Sequence, residues 1–218
     1  MAQRGCDEKG VVSPFPTSRY SRRLTSHTLC SMPRPTRIEG LAIVSADGML
    51  ADADGHMPKS LLIEADQRFF QDRLDQAAML VQGRHSHEGG GQRAARRRRL
   101  IVTRRVAALA ETDIHPNALL WNPKGATLQQ AWERLGAGDG MLAVIGGTEV
   151  YGLFLDIGFD CFHLSRVPDV QLPGGRPVFP GVSSDRSPED VLRSHGLKPG
   201  APRVFDAARN VTMVTWSR

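Results

Sequence analysis

The sequence predicts an α/β protein in which helices cover both faces of a mostly parallel central sheet and an antiparallel hairpin forms one edge. Two observations support this fold class. Short apolar runs alternate along the chain with segments of helical periodicity, which is typical of parallel strands joined by helices. The last two runs, 203–207 and 211–216, are separated by only three residues, and this spacing indicates a hairpin.

The individual elements follow from local patterns. Segment 64–77 is predicted to be helical because Phe70 and Leu74 fall on one face, and segment 128–135 is predicted to be a helix capped by Thr127. Short apolar runs bounded by turn residues are predicted strands: 38–44, 79–81, 100–102, 119–121 and 159–167.

A strand and a helix meet at a glycine pair near the middle of the chain. The apolar run 141–145 is too short for a helix and is stopped by Gly146 and Gly147, so it is a predicted buried strand. Thr148 is the predicted N-cap of the helix that follows, and Glu149 lies in its first turn. Such a junction can bind a phosphate, although it is equally consistent with a tight turn that has no ligand.

Charge and length limit the classes of function. The 218 residues suffice for one domain, and no apolar run approaches the roughly 20 residues that span a bilayer. Residues 1–36 account for +4 of the net charge of +5 and show no apolar periodicity, so they are predicted to be a disordered basic tail before a domain at 37–218. A nearly neutral domain makes a nucleic-acid partner unlikely.

The cysteines and histidines predict neither disulfides nor a metal site. Cys6, Cys30 and Cys161 have no metal-ligand spacing, and their scarcity is typical of a reduced, cytoplasmic protein. His85 and His87 are not spaced as zinc ligands on one helix face, so we assign no metal.

Four segments, in the same order and with similar spacing, resemble the dihydrofolate reductase superfamily over roughly 38–217. The glycine-pair segment is the most specific of them, because the family has a typically cis Gly-Gly bond there that contacts the cofactor. The four segments are Val144-Ile-Gly-Gly-Thr-Glu-Val-Tyr151, Gly83-Arg-His-Ser86, Leu100 to Arg104, and His163-Leu-Ser-Arg-Val167 with the later 174–180.

The resemblance implies NADPH as the cofactor. Arg84 and Arg104 are the candidates for the 2′-phosphate, and Ser86 adds a donor at a predicted helix N-terminus. The full set of implied cofactor contacts is Arg84, His85, Ser86, Thr103, Arg104, Gly146, Gly147, Thr148, Glu149, Val150 and Tyr151.

The family's proton donor is a carboxyl at the start of the first helix, four residues before an aromatic. Asp66 precedes Phe70 by four, and Ser165 matches the hydroxyl residue that hydrogen-bonds this acid. A helix N-cap also explains an Asp at this place. The resemblance further implies that Ile43, Phe70, Ile145 and Arg97 bind the substrate, with Arg97 on a substrate carboxylate.

The substrate half of the resemblance departs from the family pattern. Lys59 replaces the tryptophan of the Met-Pro-Trp segment, and Gly90 and Ala94 are small where the family walls the benzoyl group of folate. Segment 45–51 instead resembles the riboflavin-synthesis reductase branch.

We therefore expect an NADPH-dependent reductase of dihydrofolate or a related pterin, in folate and one-carbon metabolism. The alternatives are a riboflavin-pathway reductase of a ribosylaminopyrimidine and a non-catalytic nucleotide binder, and a homodimer is left open.

Overall fold

The computed structural model describes residues 33–86, 91–113, 115 and 117–218. The strands in chain order are β1 Pro35–Ser45, β2 Met49–Ala51, β3 Met79–Gly83, β4 Arg99–Val102, β5 Leu109–Glu111, β6 Ala118–Trp121, β7 Gly140–Val144, β8 Cys161–Val167, β9 Arg176–Pro177, β10 Lys198–Asp206 and β11 Val211–Ser217. The helices are α1 Glu64–Gln76, α2 Gly91–Arg96, α3 Leu128–Arg134, α4 Thr148–Ile157 and α5 Pro188–Ser194.

One large sheet organises the domain, with the strand order β10-β11-β8-β1-β7-β3-β4-β6-β5. Strands β8, β1, β7, β3, β4 and β6 are parallel, whereas β11 and β10 continue the sheet as an antiparallel hairpin and β5 closes the other edge. The predicted fold class is therefore confirmed. A separate two-stranded ladder pairs β2 with β9.

Alternating side chains of the central strands build a core on each face of the sheet. Leu80 packs with Leu74 of α1 on one face, and Val81 and Val144 pack with Phe154 of α4 on the other. Because successive residues of β3 point to opposite faces, this one buried strand contributes side chains to the cores on both faces of the sheet. The helices thus cover both faces, as a parallel sheet requires.

The structure differs from the sequence-based prediction at both ends of the domain. Strand β1 begins at Pro35, so Pro35 and Thr36 belong to the sheet and not to the predicted tail, whereas residues 1–32 lie outside the described part of the chain. Helix α5 was not predicted, although Ser187 and Asp190 form a reciprocal capping box around it. Among the described residues, no helix combines the length and the apolar character that crossing a bilayer needs.

The close contact between β1 and β8 gives a stability test. A side chain at Gly40 would overlap the ring of Phe162 and touch Phe159, so we expect Gly40→Ala to cost roughly 1–3 kcal/mol of unfolding free energy. The melting temperature should fall by roughly 2–12 °C, since each kcal/mol shifts it by about 2–4 °C in a domain of this size. Gly138→Ala is the matched control, because a Cβ there meets no described heavy atom within 4 Å. Equal melting temperatures for the two variants would contradict this packing.

Candidate active site

A small pocket lies between α1 and the sheet. Its floor comes from β1 and β8, which are adjacent and parallel, and its roof comes from the first two turns of α1. The residues that line it are Leu41, Ala42, Ile43, Asp66, Gln67, Phe69, Phe70, His163 and Ser165. Both predicted catalytic residues and two of the four predicted substrate-binding residues therefore share one cavity.

Asp66 and Ser165 form a buried hydrogen bond at the centre of this pocket. The Ser165 hydroxyl donates to Asp66 Oδ1 at 2.5 Å, and the two residues are 1% and 7% exposed, respectively. Asp66 is the third residue of α1, and Ile63 occupies the N-cap position without a side-chain cap. The capping explanation for Asp66 is therefore wrong, since its carboxylate points toward β8 and not along the helix.

The environment of Asp66 favours its protonated form. Burial raises the pKa of this carboxyl, and the hydrogen bond from Ser165 offsets only part of that increase, so the pKa rises from 3.8 to about 6. A carboxyl with this pKa still carries a proton in an appreciable fraction of molecules near neutral pH. It can therefore act as a general acid, which an ordinary aspartate cannot do efficiently at that pH.

The predicted apolar substrate contacts surround this acid. Ile43 and Phe70 line the pocket directly. Ile145 is outside the lining, but it packs with Phe70 against the apolar cluster beneath α1. These three side chains thus extend an apolar surface from the acid toward the end of β7.

The two predicted cofactor segments lie side by side at the carboxyl ends of β3 and β7. The Gly83 N–H donates to the Gly146 carbonyl at 2.6 Å, and the Gly146–Gly147 peptide bond is cis. The Ser86 N–H in turn donates to the Gly83 carbonyl at 3.1 Å. Because ligands of parallel α/β sheets bind beyond the carboxyl ends of the strands, this edge is the candidate cofactor site.

The predicted cations lie at the same edge. Arg84 follows β3 and donates to His85 Nε2 at 3.1 Å, and Arg104 is exposed beyond the neighbouring strand β4. Thr103, the residue before Arg104, is buried, and its hydroxyl accepts from the Arg105 N–H at 3.2 Å. Two guanidinium groups that follow the ends of adjacent parallel strands suit an anionic ligand.

Helix α4 differs from the prediction at its start. Gly147 occupies the N-cap position, and the hydroxyl of Thr148, the first helical residue, donates to the Pro177 carbonyl instead of capping the helix. The Tyr151 hydroxyl donates to the Leu41 carbonyl within the core, where burial raises the pKa of the phenol.

The side chains of the first turn of α4 are therefore divided among different environments. Val150 is 4% exposed and belongs to the core, as Tyr151 does, and Glu149 is exposed. The backbone N–H groups of Val150 and Tyr151 both donate to the Gly147 carbonyl. The side chains of Val150 and Tyr151 thus support the glycine pair from within the core, and contact of these two residues with a cofactor stays a prediction.

Arg97 lies outside the pocket lining and already has a carboxylate partner. Its guanidinium contacts Asp75 Oδ1 at 2.5 Å and Gln71 Oε1 at 2.9 Å, and its side chain is only 6% exposed. The hydrogen bond from Arg97 lowers the pKa of Asp75. A substrate carboxylate would have to displace this pair, so the structure does not support the predicted role of Arg97. Gly90 lies outside the described residues.

Sequence reasoning missed the inner wall of the pocket, formed by Phe69 and His163. His163 is two residues before Ser165 on β8, and strand alternation places both on the same face. This spacing of two residues could have predicted that His163 lies in the same pocket as Ser165. The two rings meet edge to face with centroids 5.1 Å apart.

A buried cluster beside this wall has the donor set of a metal site. Oxygen, sulfur and nitrogen atoms of Glu39, Cys161 and His163 lie within 4.8 Å of one another. However, the guanidinium groups of Arg37 and Arg73 already contact the Glu39 carboxylate. A divalent cation would meet these two positive charges, so we interpret the cluster as an ion-pair network.

Comparison with known proteins supports the fold. No protein-family model matches the chain, and no curated protein matches it. Among solved structures, a dihydrofolate reductase from Enterococcus faecalis complexed with NADP(H) and RAB-propyl aligns with a TM-score of 0.55 and 16% identity over 84% of this chain and 96% of that one.

Two riboflavin-related structures are equally similar. A putative riboflavin biosynthesis protein from Shewanella sp. PV-4 aligns with a TM-score of 0.54 and 16% identity, covering 84% of this chain and 98% of that one. A diaminohydroxyphosphoribosylaminopyrimidine deaminase/5-amino-6-(5-phosphoribosylamino)uracil reductase from Thermotoga maritima aligns with a TM-score of 0.55 and 17% identity over 84% of this chain and 56% of that one. The chain therefore has the fold of the dihydrofolate reductase superfamily, as the sequence predicted.

The raised pKa of Asp66 has a measurable consequence for stability. Because the folded-state pKa of about 6 exceeds the unfolded value of 3.8, the folded state loses stability as pH rises between these values. Asp66→Asn removes this loss, so the variant should gain about 2 kcal/mol relative to the wild type between pH 4 and pH 7. Urea unfolding at both pH values measures the gain. A pH-independent difference would show that Asp66 titrates normally.

Proposed function

We propose that the protein is an NADPH-dependent reductase that transfers a hydride to dihydrofolate or a related pterin, with Asp66 as the proton donor. The observation that supports this proposal most strongly is the buried Asp66–Ser165 pair, in an apolar pocket, with a carboxyl pKa of about 6. Reduction of a ring C=N bond needs a hydride at carbon and a proton at nitrogen. The pocket holds the proton at the Asp66 carboxyl.

The residues at the carboxyl edge fit a dinucleotide. A Cβ at Gly147 would meet no described heavy atom within 4 Å, so the backbone there is open to a ligand, as a close cofactor contact requires. Arg84 and Arg104 would bind its phosphates, and the Ser86 hydroxyl would add a donor. When bound, NADPH would supply the hydride. The complex of the enterococcal neighbour with NADP(H) supports the choice of cofactor.

The side chains of the pocket bind the substrate ring and transfer the proton. Ile43 and Phe70 give the pocket two apolar surfaces on which a flat ring can pack, and they keep water away from the acid. The Ser165 hydroxyl orients one carboxylate oxygen, which leaves the other oxygen of Asp66 to carry the proton toward the ring. After proton transfer the same hydrogen bond stabilises the carboxylate.

A ribosylaminopyrimidine is the second candidate substrate. The observation that favours it is the pairing of Arg97 with Asp75, which leaves the predicted folate carboxylate site without a free cation at that position. The two riboflavin-related neighbours support the same alternative. A pterin substrate would place the protein in folate and one-carbon metabolism. A ribosylaminopyrimidine substrate would place it in riboflavin biosynthesis. Location in the cytoplasm, binding of a small-molecule substrate and function without a metal remain predictions.

NADPH oxidation tests the proposal directly. Purified protein with NADPH and dihydrofolate should lose absorbance at the reduced-nicotinamide band, and methotrexate should stop the reaction. Asp66→Asn should lower kcat near neutral pH by roughly 100-fold or more, because a positioned general acid contributes that much, and should spare NADPH affinity. An equally active Asp66→Asn variant would remove Asp66 from the mechanism. Turnover of a ribosylaminopyrimidine but not dihydrofolate would select the second candidate.

Arg84 provides a separate test of the cofactor. Arg84→Ala should weaken NADPH binding by roughly tenfold or more, because a charge-assisted hydrogen bond contributes about 1.5–3 kcal/mol, while NADH binding should change little. Nucleotide fluorescence titration measures both affinities. Arg68→Ala, an exposed position on α1, is the control. An equal loss for the two nucleotides would show that Arg84 does not contact the 2′-phosphate.

A further inference from the structure

Glu39 on β1 is a fully buried carboxylate that three side chains hold. The Arg73 Nε on α1 donates to Glu39 Oε2 at 3.1 Å, and His163 Nε2 on β8 lies 3.2 Å from the same oxygen. The Arg37 Nε, on the same strand, is 2.8 Å from Glu39 Oε1. Contacts to one carboxylate therefore join α1, β1 and β8.

The partners keep this carboxylate charged. Burial by itself would raise the pKa of Glu39, but the hydrogen bonds from His163 and Arg73 and their charges lower it from 4.5 to about 2. Replacing such buried ion pairs with apolar side chains often leaves stability unchanged or increases it. Stability alone is therefore a weak reason for this network, and geometric specificity is the stronger one.

The network fixes the imidazole ring that forms the inner wall of the pocket. Because a carboxylate only accepts hydrogen bonds, His163 Nε2 must carry a proton toward Glu39, and Nδ1 lies 3.0 Å from the Thr215 hydroxyl. Both ring nitrogens are thus occupied by protein partners. The ring cannot turn, and Phe69 of α1 packs its edge against it.

Arg73 of this network lies on the same face of α1 as Asp66. Asp66, Phe70 and Arg73 are spaced i, i+4 and i+7, so they share one face of the helix. The helix is attached to the sheet by polar contacts at two points on this face, Asp66 to Ser165 and Arg73 to Glu39. These points are about 10 Å apart along the helix, since seven residues rise 1.5 Å each.

We propose that Arg73, Glu39 and His163 are positioning residues that hold α1 in the rotation that keeps Asp66 buried against Ser165. This inference rests on the proposed function only for its catalytic consequence, because the burial of Asp66 can be measured without a substrate. Loss of the Arg73 contact should let α1 turn and admit water to the carboxyl of Asp66, and hydration favours its ionised form.

The sign of the effect separates positioning from simple electrostatics. Removing the positive charge of Arg73 would by itself raise the pKa of Asp66, whereas hydration of a loosened carboxyl lowers it. In the described part of the chain, His163 on β8 shares the pocket with Asp66 and the Tyr151 phenol on α4 interacts with its charge, and neither is changed in the experiment. A decrease therefore reports movement of the helix.

The experiment is a thermodynamic cycle of Asp66→Asn with Arg73→Ala. The difference in unfolding free energy between the wild type and the Asp66→Asn variant is measured from pH 4 to pH 8. The pH above which this difference stops changing gives the titration midpoint of Asp66 in the folded state, which is its pKa. We expect Arg73→Ala to lower that midpoint by about half a pH unit or more, equivalent to roughly threefold in proton affinity. Arg68→Ala, on the exposed side of α1, should leave it unchanged, and Arg73→Lys should restore it partly.

Three results would overturn the proposal. The first is an unchanged or raised midpoint in Arg73→Ala. If that variant does not fold, Arg73→Met, which keeps the side-chain volume, replaces it and is judged by the same criterion. The second is an equal shift in Arg68→Ala. The third is stabilisation by Zn²⁺ that Cys161→Ser abolishes, because it would make the Glu39 cluster a metal site. None of these readouts requires turnover, so failure of the pterin assay leaves the test intact.

Discussion

The burial of one carboxyl group, Asp66, between α1 and β8 is the constraint on which the proposed chemistry depends. Burial makes ionisation costly, and among the described residues the Ser165 hydroxyl is the group that compensates for it within the pocket. A more solvated aspartate would lose its proton near pH 4 and could not protonate a substrate at neutral pH. The fold therefore has to hold a helix tightly enough to keep water from this group.

The sheet connects that carboxyl to the candidate cofactor edge. Parallel pairing places the ends of β3 and β7 side by side, where the Gly83 N–H contacts the Gly146 carbonyl. Strand β1 lies between β7 and β8, so the glycine pair and the Asp66–Ser165 pair flank one strand of the sheet. Helix α4 supports this arrangement from the opposite face through the Tyr151 hydroxyl, which contacts β1 at Leu41.

Local patterns in the sequence predicted most of the fold, because buried parallel strands are short apolar runs and amphipathic helices have a clear period. Asp66 and Ser165 were paired by resemblance, and their contact is confirmed. Long-range partners outside this resemblance were not predictable. Nothing near Arg97 in the sequence shows that Asp75 neutralises it, and Glu39 and His163 are 124 residues apart. A polar residue in an apolar strand, such as Glu39, signals a buried partner without identifying it.

The pKa of Asp66 in the wild-type protein decides most directly whether this carboxyl is a buried acid. Carboxyl ¹³C NMR of aspartate-labelled protein, with the Asp66→Asn variant to assign the resonance, follows this group through its titration. We expect a midpoint near 6, well above the ordinary value of 3.8. A midpoint near 4 would mean that the carboxyl is solvated, and it would contradict both the buried acid and the reductase mechanism built on it.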